Sequence, residues 1–215
     1  MNTKLTKSLF EIGLKAKSAS SILNTVTSNQ KNKFVDFAIE AIKENLDEIL
    51  LANQLDIKAA EGNNKDEAFI DRLALDKERI QGMCDTLNEI KSFKDPIGRV
   101  LSSWDRPNGL KISRVATPLG VIGLIFESRP NVAADAGGLC LKSGNAVILR
   151  SGKDGLRSAM AIVDSLQNAL KRAELPEECI QIVPHESREA ATMMLEGLNG
   201  SIDVIVPRGG KSLVA

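Results

Sequence analysis

The sequence predicts an α/β fold in which a doubly wound, mainly parallel sheet follows a helical segment and a β-hairpin. Three observations support this fold class. Residues 1–96 carry apolar side chains at spacings of three and four, as amphipathic helices do. Residues 97–117 hold two alternating runs on either side of an Asn-Gly pair. Residues 118–215 repeat an apolar run followed by a helical pattern, which is typical of parallel strands joined by helices.

The helical segment contains one long predicted helix. Apolar residues from Phe34 to Leu50 recur at helical spacing within residues 32–62, and the run stops at Gly62-Asn63-Asn64. Two shorter helices are predicted over residues 66–75 and 76–93.

The hairpin is predicted from the runs at residues 99–104 and 110–115. Asn108 and Gly109 lie between them, and this pair favours a tight turn in which both residues adopt positive φ. A two-stranded ribbon is marginally stable alone, so it needs a further surface. That surface belongs either to the same chain or to a second subunit.

Four apolar runs predict the strands of the sheet, at residues 120–126, 146–150, 179–183 and 203–207. The first run has no polar residue, as expected for a strand that is covered on both faces. Helical patterns lie between the runs, over residues 131–145, 154–175 and 187–198, and a further helix is predicted to open in the stretch from residue 208. Right-handed crossovers then make the sheet parallel.

Composition excludes several classes of protein. The 215 residues include 28 Lys and Arg and 28 Asp and Glu, and a net charge of zero argues against a nucleic-acid binder. The longest apolar runs are too short for a membrane span, and the N-terminus lacks the pattern of a secretory signal. Cys84, Cys140 and Cys179 are far apart, which argues against a disulfide framework or a metal site and favours the cytoplasm.

Polar and glycine residues follow the predicted strands, at the sheet edge where α/β proteins bind ligands. Neither G-x-G-x-x-G nor a Walker A motif is present. Two cationic glycine loops could bind phosphate groups, and the alternative is that both are ordinary turns. "ESRPN" carries more kinds of polar group than a surface turn needs, although Asn131 could simply begin a helix. The candidates are Glu127, Ser128, Arg129 and Asn131, then Arg150, Ser151, Gly152 and Lys153, then Arg208, Gly209, Gly210 and Lys211.

The stretches "PLGVIGLIFESRPNVAADAGGLCLKSGNAVILRSGK" and "DVIVPRGGKSL" closely resemble the glutamate-5-semialdehyde dehydrogenase (γ-glutamyl phosphate reductase) family. This family is a proline-biosynthesis branch of the aldehyde dehydrogenase superfamily, and the resemblance extends over nearly the whole chain. It implies that NADPH reduces γ-glutamyl phosphate to glutamate-5-semialdehyde and that phosphate is released. It also implies a cysteine thiolate that attacks the acyl phosphate.

The resemblance implies that the glycine loops bind NADP(H). "ILRSGK" matches the superfamily's "VLKPSE", whose lysine and glutamate hold the adenosine ribose. Arg150 takes the place of that lysine, and Lys153 takes the place of the glutamate. An ammonium group attracts a 2′-phosphate that a carboxylate would repel, so NADP(H) is expected over NAD(H). Gly209 and Gly210, beside Arg208, match the region that approaches the cofactor pyrophosphate.

The remaining implied roles concern the substrate and partners. Ser128 stands where the superfamily has an oxyanion-binding asparagine, and Asn131 is close by, so either is expected to donate to the carbonyl oxygen. Glu127 and Arg129 are expected to bind substrate, Arg129 by the bidentate geometry of its guanidinium. Residues 98–117 resemble an oligomerisation ribbon, so a homo-oligomer is expected. Glutamate 5-kinase is a further expected partner.

The family's nucleophilic cysteine belongs to a catalytic domain that is expected to lie outside these 215 residues. The chain then comprises a helical segment (1–96), an oligomerisation hairpin (97–117) and an incomplete aldehyde-dehydrogenase-like, NADP-binding α/β domain (118–215). None of the three cysteines has the surroundings of a nucleophile, so the chain alone is expected to be inactive. The alternatives are an inactive nucleotide-binding or oligomerisation module and a reductase of another acyl phosphate.

Overall fold

The computed structural model describes residues 3–210. In this part of the chain five helices precede the first strand: α1 (Thr3–Leu23), α2 (Ser28–Glu44), α3 (Leu46–Gly62), α4 (Glu67–Leu73) and α5 (Lys77–Ser92). Side-chain caps fix where three of them begin, because Thr27 accepts from the Gln30 N–H (3.3 Å), Asp66 from the Phe69 N–H (2.6 Å) and Asp76 from the Arg79 N–H (2.7 Å). None of the described helices is long and apolar enough to cross a bilayer.

The single helix predicted over residues 32–62 is wrong, because α2 ends at Glu44 and α3 begins at Leu46. Asn45 separates them with φ −95° and ψ 16°. Its side-chain amide donates to Ser165 Oγ of the later part of the chain (3.1 Å), and asparagine has a low helix propensity. The apolar periodicity runs through the break, which is why spacing alone predicts one helix.

The predicted hairpin is present as β1 (Val100–Asp105) and β2 (Lys111–Val115), which pair antiparallel. The turn differs from the prediction. The Gly109 N–H donates to the Arg106 carbonyl (2.9 Å), so Pro107 and Asn108 are the central residues. Only Gly109 has a positive φ (84°) in this turn. Proline holds φ near −65°, which suits the first central position of a type I turn, and Gly109 then takes the left-handed conformation.

The sheet has the predicted α/β architecture. Its strands are β3 (Val121–Phe126), β4 (Ala146–Arg150), β5 (Ile180–Ile182) and β6 (Val204–Arg208). They lie in the order β5-β4-β3-β6, and every pair is parallel. The connecting helices are α6 (Val132–Lys142), α7 (Leu156–Arg172) and α8 (Arg188–Leu195). The fold class is therefore confirmed. Of the further helix predicted in the stretch from residue 208, and of Lys211, residues 211–215 lie outside the described part of the chain.

The strand order makes the sheet doubly wound. The chain steps from β3 to β4 to β5 and then returns past β3 to β6. Right-handed crossovers place α6 and α7 on one face and α8 on the other. All six residues of β3 are buried, as the continuous apolar run predicts. Helix α1 packs against β3, β4 and β5, and α2, α3 and α5 pack against the layer of α6 and α7.

A buried ion pair links α2 to the end of the helical segment. Lys31 is 2% exposed, and its ammonium contacts Asp95 Oδ2 at 2.9 Å. Burial acts to raise the pKa of Asp95, but hydrogen bonds from Ser28, Ile97 and Lys31 outweigh it and hold that pKa below its ordinary value. The link ties α2 to the segment that leads into the hairpin.

Candidate functional site

The strand order reverses between β3 and β6, and open α/β sheets bind ligands beyond the carboxyl ends of the strands at such a point. In the parallel register Phe126 is opposite Arg208, so the segments that follow both strands begin at one level. Ile125 is opposite Arg150 on the other side of β3. Three of the predicted clusters therefore lie along one edge of the sheet.

A cavity of about 480 Å³ lies at this reversal, and we call it the switch-point cavity. Six of the predicted residues line it: Glu127, Ser128, Arg129, Arg208, Gly209 and Gly210. Phe69 and Arg72 of α4 also line it, and sequence reasoning missed both. No motif marks these two residues. Their spacing of three places them on one face of a helix, but it does not say what that face meets.

Glu127 lies between the two glycine loops. The Gly210 N–H donates to Glu127 Oε2 (3.1 Å), and the Gly152 N–H donates to the Phe126 carbonyl (2.8 Å). A Cβ at Gly152 would stand 3.3 Å from the Glu127 carbonyl oxygen, and a Cβ at Gly209 would stand 2.6 Å from Glu127 Cδ. Both loops therefore approach the end of β3 as closely as glycine allows.

Replacing Gly152 by valine is expected to lower the free energy of unfolding by about 1–3 kcal/mol, because a branched side chain must push rigid backbone away. Urea denaturation followed by circular dichroism measures the change. Gly62→Val is the matched control, since nothing lies within 4 Å of a Cβ there. Equal midpoints for the two variants would contradict the tight contact at Gly152.

A second cavity of about 250 Å³ adjoins the first, sharing Phe69, Glu127 and Ser128, and is also lined by Gly152 and Asp154. Lys65 borders it, with its ammonium 4.5 Å from the centroid of the Phe69 ring and 3.5 Å from Asp154 Oδ2. The loop after β4 thus opens beside the residues that follow β3.

Arg150 and Ser151 are turned into the protein. Arg150 Nη2 lies 3.4 Å from the carbonyl oxygens of Glu186 and Ser187, just before α8. Its Nε is buried without a partner among the described residues, and burial lowers the pKa of the guanidinium. Ser151 is buried and donates to the Gly152 carbonyl (3.1 Å), whereas Lys153 is exposed at the start of a short 3-10 turn.

The two predicted oxyanion donors differ in their surroundings. Asn131 stands at the start of α6, and its Nδ2 donates to Asp135 Oδ2 (3.0 Å). Burial raises the pKa of Asp135, although Arg208 and Asn131 act to lower it. Ser128 is 9% exposed and borders both cavities described above.

A third cavity of about 280 Å³ lies between α4, α5 and the start of α6, and we call it the helical cavity. Arg72 and Arg129 line it and also line the switch-point cavity. Arg79 borders the helical cavity but is paired, because its guanidinium contacts Asp71 Oδ1 (2.5 Å) and the Ala74 carbonyl (2.9 Å).

The three cysteines lie in the core. Each is free and buried. Burial raises the pKa of Cys140 and of Cys179 to about 12, and it raises the pKa of Cys84 as well. Among residues 3–210 no group of His, Cys, Asp and Glu could hold a metal ion.

Comparison with known proteins finds relatives of similar sequence and fold. No family model matches the chain. Over 215 residues the chain is 53% identical to the γ-glutamyl phosphate reductase of Brucella suis, and this alignment covers 100% of the chain and 51% of that protein. The chain is related to the γ-glutamyl phosphate reductases. The enzyme of Rhizobium etli is 55% identical over 205 residues, which are 95% of the chain and 48% of that relative.

Solved structures of these reductases share the fold. The γ-glutamyl phosphate reductase of Thermotoga maritima matches with a TM-score of 0.92 and 39% identity, covering 96% of the chain and 50% of its own length. The Saccharomyces cerevisiae reductase matches with a TM-score of 0.87 and 28% identity, covering 95% and 52%. An acetylating aldehyde dehydrogenase from Geobacillus thermoglucosidasius, at 17% identity and a TM-score of 0.73, covers 98% of the chain and 43% of its own length and has the same fold. The chain spans about half the length of the reductases that it matches.

Proposed function

We propose that the chain is the cofactor-binding part of a γ-glutamyl phosphate reductase, and that NADP(H) binds along the edge of the sheet formed by the ends of β4, β3 and β6. The observation that carries the proposal is the convergence of two glycine loops on Glu127 at the reversal of strand order. In this proposal residues 118–215 form the cofactor-binding unit, residues 1–96 a helical segment beside it and residues 97–117 the hairpin. The 53% identity to a reductase of that name supports the choice of reaction.

The residues present fit a dinucleotide. Because positions 152 and 209 are glycine, the backbone of each loop lies close to Glu127 and carries no side chain there. A pyrophosphate could therefore approach the main-chain N–H groups. Lys153 and Arg208 are exposed and supply positive charge at the two loops. Arg150 is proposed to support the loop after β4 from the protein interior, because its guanidinium lies beside the carbonyls of Glu186 and Ser187.

When bound, the cofactor would supply the hydride that reduces the acyl carbon. We propose that the Ser128 hydroxyl donates to the carbonyl oxygen of the substrate, because Ser128 lines the switch-point cavity and Asn131 does not. In the same proposal Arg129 binds an anionic group of the substrate, and Glu127 orients the loop at Gly210 through its carboxylate.

We also propose that none of the three cysteines is the nucleophile. A thiol with a pKa near 12 holds almost no thiolate at neutral pH, and Cys140 and Cys179 are in this state. The 215-residue chain alone would then show no phosphate-dependent oxidation of the semialdehyde. Free cysteines also suit a reducing compartment, and we propose the cytoplasm.

Assembly is proposed to occur through the hairpin. Every residue of β1 and β2 is exposed, and the ribbon forms a sheet separate from the four-stranded one. Trp104 and Ile112 are cross-strand partners on one face, while the Ser103 and Ser113 hydroxyls meet at 3.1 Å on the other. An amphipathic ribbon of this kind suits a second copy of the chain. The partnership with glutamate 5-kinase stays a prediction.

Replacing Lys153 by glutamate is expected to weaken NADPH binding by about 10- to 100-fold, since a hydrogen bond to a charged group contributes about 1.5–3 kcal/mol. NADH carries no 2′-phosphate, so its affinity should change much less. Titration calorimetry with both cofactors measures the ratio of dissociation constants. Lys33→Glu makes the same change of charge on an exposed position of α2 and serves as control. An unchanged NADPH/NADH ratio in Lys153→Glu would refute the assignment.

A further inference from the structure

Arg72 and Arg129 border both the switch-point cavity and the helical cavity. They come from distant parts of the sequence, because Arg72 lies on α4 and Arg129 follows β3. Both side chains are exposed. The two guanidinium groups therefore stand where one cavity passes into the other.

Among the described residues neither guanidinium group has an ion pair or a hydrogen bond with a protein group. The guanidinium carbon of Arg72 lies 5.9 Å from the centroid of the Phe69 ring. Arg79 gives a contrast within the helical cavity, since Asp71 neutralises it and it holds the end of α4. Arg72 and Arg129 thus keep their donors available for a ligand.

The pair shares the switch-point cavity with one proposed cofactor loop but also extends into a cavity that neither loop lines in the described part of the chain. Gly209 and Gly210 line the switch-point cavity, and Gly152 lines the smaller cavity beside it. Among residues 3–210 the helical cavity is lined by α4, α5, the start of α6 and the segments that adjoin α4 and α6. A ligand held by both arginines would reach from the cofactor side into this space, as a second reactant must.

Negative charge around the pair is already engaged. Asp71 is paired with Arg79, and Asp135 accepts from Asn131 while burial raises its pKa. Glu127 accepts from the Gly210 N–H. An incoming anion would therefore meet two unpaired guanidinium groups, and of these three carboxylates only Glu127 lines the switch-point cavity.

We propose that Arg72 and Arg129 bind an oxyanion of the substrate, so that a residue of the helical segment takes part in substrate recognition. This proposal rests on the proposed function and extends it. Two guanidinium forks can hold a phosphoryl group or a carboxylate by paired N–H···O bonds, and an acyl phosphate of an amino acid carries both. The arginines act as substrate-binding residues, with no part in cofactor binding.

The test is titration calorimetry on the 215-residue chain with three separate probes: inorganic phosphate, L-glutamate and NADPH. We expect Arg72→Gln and Arg129→Gln each to weaken binding of phosphate or of glutamate by about tenfold, as for loss of one charged hydrogen bond. The NADPH affinity of both variants should stay within about twofold of that of the parent chain. Arg106→Gln removes an exposed arginine at the hairpin turn and is the control.

The probes distinguish the sources of the anion and the two proposals. Loss of phosphate binding assigns the phosphoryl group to the pair, and loss of glutamate binding assigns the carboxylate. Arg72→Lys, which keeps the charge without the fork, should lie between the parent chain and Arg72→Gln. The proposal is overturned if the parent chain binds neither anion, if both Gln variants bind them unchanged, or if NADPH affinity falls in step with anion affinity. Failure of NADPH to bind the parent chain would count against the proposed function alone, because the anion titrations are read without cofactor.

Discussion

Replacing Asp56 by alanine is expected to lower the free energy of unfolding by about 3 kcal/mol, the largest effect on stability that we predict. Asp56 of α3 is fully buried. Its Oδ2 accepts from the Ser158 N–H (2.8 Å) and hydroxyl (2.7 Å), and its Oδ1 accepts from Arg157 (3.1 Å). Removal leaves two buried donors of Ser158 without partners, and each unsatisfied group costs about 1–3 kcal/mol.

Urea denaturation of Asp56→Ala, Asp56→Asn and Asp47→Ala would measure this effect. Asp47 is exposed in the first turn of the same helix, so its replacement should change stability by no more than about 0.5 kcal/mol. Asp56→Asn keeps one acceptor oxygen and should recover part of the loss. If Asp56→Ala unfolded at the same urea concentration as Asp47→Ala, the polar cluster between α3 and α7 would not contribute as described.

The stability prediction bears on the site through Asn53, one turn earlier on α3. Asn53 is fully buried, donates to the Leu73 carbonyl (2.9 Å) and to Ser158 Oγ (3.0 Å), and accepts from the Leu75 N–H (2.7 Å). It thereby holds the end of α4 against the start of α7. The helix that carries Arg72 is placed by this amide, so loosening the cluster should disturb the cavity as well as the fold.

Replacing Trp104 and Ile112 together by glutamate is expected to convert self-associated chains to monomers. Both residues are exposed large apolar groups that pair across the two strands of the hairpin. Two carboxylates in a closed apolar contact would each have to be desolvated, a cost that exceeds what a small ribbon contact supplies. Sedimentation velocity on the parent chain and the variant measures the change.

Leu51→Glu is the control for this experiment. Leu51 is 60% exposed on α3, so its replacement adds a charge at an apolar surface position away from the ribbon. The parent chain and this control should sediment alike. A monomeric parent chain at tens of micromolar, or a double variant that still associates, would rule out the hairpin as the interface.

The sheet was largely predictable from sequence, and the reason is visible in β3 and β4. Both consist almost wholly of buried residues, so an uninterrupted apolar run marks them to within one residue. The same logic brought the candidates at 127–129 and 208–210 to one edge, because parallel strands end on the same side. Local patterns gave a wrong prediction where a single residue determines the backbone conformation. Asn45 between α2 and α3 and Pro107 in the hairpin turn are the two cases.

Phe69 and Arg72 could not be predicted as site residues. Their helix has seven residues, and its place depends on the buried amide of Asn53, which contacts chain segments about 20 and 105 residues away along the sequence. No local spacing encodes contacts at such separations. The site residues that follow the strands of the sheet could be predicted from the sequence. The site residues of the helical segment could not, because their position depends on tertiary packing.

The bond between Gly210 and Glu127 joins residues 83 positions apart, and it has a consequence for when a ligand could first be recognised. Of the two neighbours of β3, β4 is the next strand along the sequence, whereas β6 is the last of the described strands to leave the ribosome. In a nascent chain that has emerged only as far as residue 200, Glu127 and Gly152 would be present, but the switch-point cavity would lack the side that β6 and the residues after it form. Ligand recognition would thus begin only when β6 docks, so that a bound nucleotide would favour chains whose sheet is already assembled.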